Sequence, residues 1–149
     1  MEYTSNFNFK FELDSNWLRA DPVSNTMPDT IQEYKFKKGD LSFFITYSGV
    51  VPKVGIDMFF NFARNKLKEE KFISSSERVF DFKNKFRKFT IFEVITFNPK
   101  TKSNELHYYF EFESVFHYCG AIKFIKINPA DAPKYEKIVE SILKNWRDK

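Results

Sequence analysis

Hydrophobic and polar positions alternate most regularly in the second half of the chain, where the pattern predicts three long consecutive strands. These strands are Phe86–Phe97, Glu105–Phe116 and Tyr118–Ile127. In the second, apolar residues occupy one parity and polar residues the other, which is typical of a strand with one face in a core and one closer to water. The apolar set is Leu106, Tyr108, Phe110, Phe112 and Phe116, and the polar set is Glu105, His107, Glu111 and Glu113.

The first of these strands carries apolar residues on both parities, for example Ile91 and Ile95 against Phe92 and Val94. A strand that is apolar on both sides is covered on both sides, so it is expected in the interior of the sheet. The polar segment 98–104 predicts a turn that sends the next strand back antiparallel. A second tight turn is expected near His117–Gly120.

Earlier segments predict further strands at Phe7–Leu13, Ile31–Phe36, Leu41–Tyr47 and Phe72–Phe82. The second and third form a hairpin around a polar turn that contains Gly39. The segment 14–16 predicts a turn, with Trp17 after it closing one end of the core. Residues 21–30 carry two prolines without periodicity and predict a loop.

The spacing of apolar residues changes to a helical period twice. Ile56 opens an amphipathic helix that is expected to end near Lys71, with Met58 and Phe62 widening its apolar stripe. A second helix is expected to run from Asp131, as N-cap, almost to the C-terminus, with Pro133 in its first turn and Trp146 on its apolar face.

Short turns between consecutive strands, with two amphipathic helices, predict an α+β fold. We expect an antiparallel meander of about six to seven strands flanked by two main helices, as an α/β/α sandwich. At 149 residues the chain is expected to form one domain, spanning residues 1–149.

This order of elements resembles the PsbP-like superfamily, which includes PsbP, the Ran-binding import factor and bacterial DcrB-like domains. The points of likeness are the strand and turn of Phe7–Trp17, the strand Leu41–Tyr47, the helix Ile56–Lys71, a four-strand run and the final helix through Ile138–Trp146. The resemblance implies a largely non-enzymatic binding or assembly factor. Some DcrB-like relatives act as chaperone-adaptors that shield apolar segments of secreted proteins.

Composition narrows the classes of function. The net charge of +4 comes from 24 basic and 20 acidic residues, a mixture that does not favour a nucleic-acid partner. Cys119 is the single cysteine, which excludes an intramolecular disulfide and a cysteine-cluster metal site. The 20 phenylalanines suggest an AT-rich, bacterial genome. No apolar run long enough to span a membrane and no signal peptide is found, so a cytoplasmic location is the expectation.

Few residues suggest chemistry. His107 and His117 are ten residues apart, roughly 33 Å along one strand, so they cannot share a site within that strand. His117, Cys119 and Glu113 form a conceivable metal or redox group, against the alternative of a turn histidine and a packed thiol. The carboxylates Glu105, Glu111 and Glu113 with Tyr109 are either an acid–base group or a polar sheet face. No cofactor, metal or catalytic residue is assigned, and the protein is not expected to be an enzyme.

Two features suggest a binding surface. Lys83, Lys85, Arg87 and Lys88 surround Phe86 and Phe89. This mixture suits an acidic partner or nucleic acid, with an acidic protein surface favoured over DNA, and the alternative is a solvated turn that protects strand ends. Met58, Phe62, Phe44 and Tyr109 are expected to exceed what the core needs, as residues of an exposed apolar patch do.

The sequence therefore predicts a non-catalytic protein-binding or adaptor module that acts through an apolar-aromatic surface, with another protein or a second copy of the chain as partner. The predicted partner-binding residues are Met58, Phe62, Tyr109, Lys83, Lys85 and Arg87. The alternative is a carrier of a small molecule or lipid in a pocket between sheet and helix.

Overall fold

The computed structural model describes residues 2–4, 9–12, 18–19, 31–38, 41–51, 56–113 and 117–148. The helices are α1 (Ile56–Glu69) and α2 (Ala132–Leu143), the second preceded by a 3₁₀ turn at Pro129–Asp131. The strands are β1 (Glu2–Thr4), β2 (Phe9–Glu12), β3 (Leu18–Arg19), β4 (Ile31–Lys38), β5 (Leu41–Val51), β6 (Ile73–Lys83), β7 (Lys88–Asn98), β8 (Ser103–Glu113), β9 (His117–Ile127) and β10 (Arg147–Asp148). The predicted α+β class, with an antiparallel sheet and two helices, is confirmed.

The main sheet has the strand order β3-β4-β5-β9-β8-β7-β6, and β1, β2 and β10 form a smaller sheet. The predicted single meander of six to seven strands is wrong, because the consecutive run contains four strands, β6 to β9. Strand β5 pairs with β9 instead of β6. Between β5 and β6 the chain forms the 14 residues of α1. A helix of that length, about 21 Å, can cover the roughly 19 Å of four strand spacings, which carries the chain to the opposite side of the run.

The two faces of the sheet pack against different helices. On one face, the apolar side of β8 meets α2, and the core residues there include Phe110, Phe124 and Trp146. On the other face, Phe92 and Val94 of β7 pack against Phe60 and other residues of α1. Strand β7 is therefore an interior strand with both faces covered, as its sequence pattern predicted.

The polar side of β8 is the main correction. We expected Glu105 and His107 to lie closer to water, but Glu105 is only 4% exposed and His107 only 6% exposed. They face the side of the sheet that α1 covers. The turn expected near His117–Gly120 is also misplaced, because these residues belong to β9, with Gly120 opposite Tyr47 and Phe110.

The predicted second helix is confirmed, but its start differs in detail. Asp131 is the N-cap of α2 and its side chain makes no capping hydrogen bond. Asn128 caps the preceding 3₁₀ turn, because its side-chain oxygen accepts a hydrogen bond from the Ala130 N–H at 3.1 Å. Trp146 lies beyond the helix and is fully buried. The predicted turn at 14–16, the loop 21–30, and the roles of Trp17 and Gly39 lie outside the described residues.

Candidate interaction surface

One edge strand of the main sheet, β6, carries exposed apolar side chains. It is the last strand in the sheet order, and all of its residues from Ile73 to Val79 are exposed. Among the described residues, the three most exposed large hydrophobic side chains are Ile73 (61%), Phe86 (55%) and Val79 (53%). All three lie on β6 or in the turn that follows it. Apolar side chains exposed along a sheet edge are typical of an interaction surface.

The turn between β6 and β7 is held in place by one side chain. The Asn84 amide nitrogen donates to the carbonyl oxygens of Leu143 (2.7 Å) and Trp146 (2.9 Å), at the end of α2. The Asn84 side-chain oxygen accepts from the backbone N–H groups of Phe86 (2.7 Å) and Arg87 (2.9 Å). Asparagine can do both because its amide carries two donors and an acceptor. The exposed ring of Phe86 therefore projects from a turn that is fastened to the core.

Basic residues flank this ring as the sequence predicted, although they are not equivalent. Lys83 and Lys85 are exposed, while Arg87 is half-buried. The ammonium of Lys88 lies 3.2 Å from the carboxylate of Asp81, across the β6–β7 pair. The turn thus presents Lys83 and Lys85 to solvent beside Phe86.

A partly buried ionic link ties β6 to α2. The Arg78 guanidinium donates to Glu93 of β7 at 3.0 Å and to Glu136 of α2 at 2.7 Å, and lies 4.3 Å from the centre of the Phe80 ring. Burial lowers the pKa of Arg78, but the hydrogen bonds and charges of the two carboxylates outweigh it and leave the pKa raised. No local sequence pattern indicates this link, because its three members come from distant segments.

The hydrogen bonding of β6 alternates along the strand. The Asn84 N–H donates to the Arg87 carbonyl at 3.1 Å, and these two residues continue the β6–β7 register. Since hydrogen-bonded and non-hydrogen-bonded pairs alternate in an antiparallel ladder, the even-numbered residues of the strand bond to β7. The odd-numbered residues direct their backbone N–H and C=O groups outward. These residues are Glu77, Val79, Asp81 and Lys83.

A bulge interrupts the strand near its start. The register shifts between Ser74 and Ser76, and the hydroxyl of Ser75 donates to the Ile95 carbonyl at 3.2 Å. Bulges are one way in which proteins limit pairing at exposed edges. Here the bulge lies at one end of β6, and residues 76–83 form a regular strand whose odd-numbered backbone groups point away from β7.

A second polar group lies beneath α1, on the opposite face of β8 from α2. The Glu105 carboxylate is 3.4 Å from the His107 imidazole and accepts a hydrogen bond from Asn98 at 2.8 Å. Burial raises the pKa of Glu105, but the contacts with His107 and Asn98, together with the charges of His107 and Lys123, lower it overall. The Tyr109 ring stacks on the His107 ring, with centroids 5.9 Å apart.

The structure brings together some of the predicted binding residues and separates others. Lys83, Lys85 and Arg87 share the turn after β6. Tyr109 lies two strands away, half-buried beneath α1. Burial is the main cause that raises the pKa of Tyr109, and the negative charges of Glu70 and Glu105 raise it further. The predicted side chains that lie outside the described part are those of Met58, Phe62, Phe44, Glu113, His117 and Cys119.

No group of three histidine, cysteine or carboxylate side chains capable of holding a metal occurs among the side chains that the structure describes. Within the same part of the chain, neither helix is both long enough and apolar enough to cross a bilayer.

Solved structures share this architecture. The chain is similar to the cyanobacterial PsbP protein CyanoP of Synechocystis sp. PCC 6803, with a TM-score of 0.65 at 8% identity, over 100% of this chain and 92% of CyanoP. A protein of Bacteroides thetaiotaomicron VPI-5482 matches with a TM-score of 0.54 at 12% identity, over 99% of this chain and 48% of that protein. No family model and no curated protein matches the sequence. The fold is PsbP-like, as the order of elements predicted.

Proposed function

We propose that this protein is a non-catalytic binding module that pairs an extended polypeptide segment with its β6 edge surface. That surface comprises the outward-facing residues of β6 (Glu77, Val79, Asp81 and Lys83) together with Ile73 and the turn Asn84–Arg87. The observation that carries the proposal is the exposure of Ile73 and Val79 on an 11-residue edge strand, and of Phe86 in the turn that follows it. The PsbP-like fold supports the non-catalytic part, as the fold of an accessory domain.

The chemistry of such a surface is well matched to an added strand. Outward N–H and C=O groups supply main-chain hydrogen bonds that are independent of the partner's sequence, while side chains on alternate positions give specificity. On β6, Val79 supplies apolar contact, and Lys83 with Lys85 favours acidic residues in the segment that lies beside the turn. The fastened turn lowers the ordering cost of binding, because the Phe86 backbone is held by Asn84 in the free protein.

Site-specific photo-crosslinking in cells of the source organism tests this proposal. A benzophenone amino acid replaces Val79 on the edge, Phe86 on the turn or, as a control, the exposed Lys137 on α2. We expect both edge positions to give the same discrete protein adduct, and the α2 position to give none. An absence of adducts at Val79 and Phe86, or identical adducts at Lys137, would contradict the proposal.

A carrier function is the second candidate, and the polar group beneath α1 favours it. The Thr96 side chain is fully buried there, and no hydrogen-bond partner for its hydroxyl occurs in the described residues. It lies opposite Glu105 in the β7–β8 register. A buried hydroxyl beside a carboxylate–imidazole pair could hold a polar ligand between sheet and helix. Native mass spectrometry of protein purified from its host would detect a small molecule that is released on unfolding, and a bare chain would count against a carrier.

A further inference from the structure

We infer that the segment bound at the β6 edge surface is the β6 strand of a second copy of this chain, paired antiparallel about a two-fold axis at Phe80. This inference rests on the proposed function and names the partner of the same surface. The two main sheets would join into one continuous sheet, with both α2 helices on one side and both α1 helices on the other.

The register is restricted first by the shape of the strand. The regular part of β6 lies between the bulge at Ser75 and the turn Asn84–Arg87. A two-fold axis at Ser76 or Phe82 would set much of one copy's regular strand against the bulge or the turn of the other. Only axes between these two positions pair regular backbone with regular backbone.

Charge then excludes most of the remaining registers. In a two-fold antiparallel pair, the residue on the axis faces its own copy, and its neighbours face each other across the axis. An axis at Glu77, Arg78 or Asp81 places like charges directly opposite. An axis at Val79 sets Glu77 of each copy opposite Asp81 of the other, so that two repulsive pairs form. Like charges opposite each other in adjacent strands are destabilising.

The axis at Phe80 is the register within this window that sets opposite charges against each other. Glu77 then faces the second copy's Lys83, and the symmetric pair repeats the contact. Val79 faces the second copy's Asp81, and the two Phe80 residues face each other. Aromatic pairs and opposite charges are the cross-strand contacts that stabilise sheets.

The backbone agrees with this register. The outward-facing residues Glu77, Val79, Asp81 and Lys83 fall into hydrogen-bonded pairs, 77 with 83 and 79 with 81, while Phe80 occupies a non-hydrogen-bonded position on the axis. The pairing also brings the turn of one copy beside the start of β6 in the other. Phe86, 55% exposed, and Ile73, 61% exposed, are thereby placed near each other across the junction.

Sedimentation equilibrium of the purified chain, from micromolar to near-millimolar concentration, tests the inference with charge reversals. Glu77→Lys and Lys83→Glu each create two like-charged pairs, and we expect each to weaken the dimer roughly tenfold. The double variant restores opposite charges in the same register, so its dissociation constant should return to within a few-fold of the wild type. Glu77 also pairs with Arg64 within the chain at 3.2 Å, but both side chains are about one-third exposed or more, so the folded state should persist.

A backbone variant gives an independent test. Val79→Pro removes an outward N–H that the β6–β7 ladder does not use, and proline is tolerated on edge strands in that position. We expect Val79→Pro to abolish the dimer with an unchanged circular dichroism spectrum, while Val79→Ala, which keeps the N–H, retains it. A chain that is monomeric at every concentration, or a dimer that is indifferent to Val79→Pro, would overturn the inference. If Val79 and Phe86 still crosslinked a different protein in cells, the proposed function would survive without self-pairing.

Discussion

Replacement of Asn84 by alanine should destabilise the protein more than its position in a surface turn suggests. The substitution removes two donated hydrogen bonds, to the carbonyls of Leu143 and Trp146, and two accepted ones, from the N–H groups of Phe86 and Arg87. Each bond contributes about 1 kcal/mol net. Since the turn is partly open to water, which replaces some of them, we expect a loss of about 2–3 kcal/mol in the free energy of unfolding.

Asn84→Asp separates the two halves of this network. The carboxylate can still accept from Phe86 and Arg87, but it cannot donate, and its charge faces two carbonyl oxygens at the C-terminal end of α2, where negative charge is unfavourable. We therefore expect Asn84→Asp to lose at least half of what Asn84→Ala loses. The matched control is Asn128→Ala, which removes one exposed hydrogen bond to Ala130 and should cost about 0.5–1 kcal/mol.

Urea unfolding monitored by circular dichroism measures these differences, supported by thermal melts. A loss of 2–3 kcal/mol corresponds to a fall in Tm of about 5–10 °C for a chain of this size. The reasoning would be refuted if Asn84→Ala and Asn128→Ala lowered the unfolding free energy equally. In that case water would satisfy the freed carbonyls as well as Asn84 does, and the turn would not be fastened to the core.

Two further predictions concern the ionic groups. Arg78→Met leaves the largely buried Glu93 carboxylate without its ion pair. We expect it to lower the free energy of unfolding by about 1–2 kcal/mol, a value discounted because Arg78 is 46% exposed. In the same urea assay Arg64→Met, at an exposed pair, should lower it by less than about 1 kcal/mol. Because the pKa of Glu105 is lowered in the folded state, its contribution to stability is present above its ordinary pKa of 4.5 and is lost as the pH falls through the folded value. Unfolding midpoints across that range should show wild type and Glu105→Gln converging in acid, and a constant difference would contradict this assignment.

The sequence predicted the long strands and helices because their apolar periodicity persists over many residues. Strand β7 is the clearest case, since apolar residues on both parities required cover on both faces. The strand order could not be predicted in the same way. Nothing in the local pattern indicates that β5 pairs with β9, because this pairing depends on where α1 leads the chain between β5 and β6. The prediction that Glu105 and His107 are exposed was wrong for a related reason. Polar residues on one parity of a strand indicate a solvent-exposed face only when no helix covers that face.

Part of the candidate surface could be predicted from the sequence. Lys83, Lys85 and Arg87 were recognised as a basic turn around an aromatic residue. The role of Asn84 was not, because its partners Leu143 and Trp146 are about sixty residues away. The exposure of Val79 follows from the position of β6 at the sheet edge, and that position is a property of the topology rather than of β6 itself.

Residue-resolved amide hydrogen exchange along β6 tests the central claim most directly. In dilute protein, the amides of Arg78, Phe80 and Phe82 should be protected by β7, and those of Val79 and Asp81 should exchange rapidly. When the partner is bound, whether a second copy at high concentration or the crosslinked protein, Val79 and Asp81 should gain protection while the even-numbered residues change little. Rapid exchange at Val79 and Asp81 in both states would contradict strand pairing at the β6 edge surface.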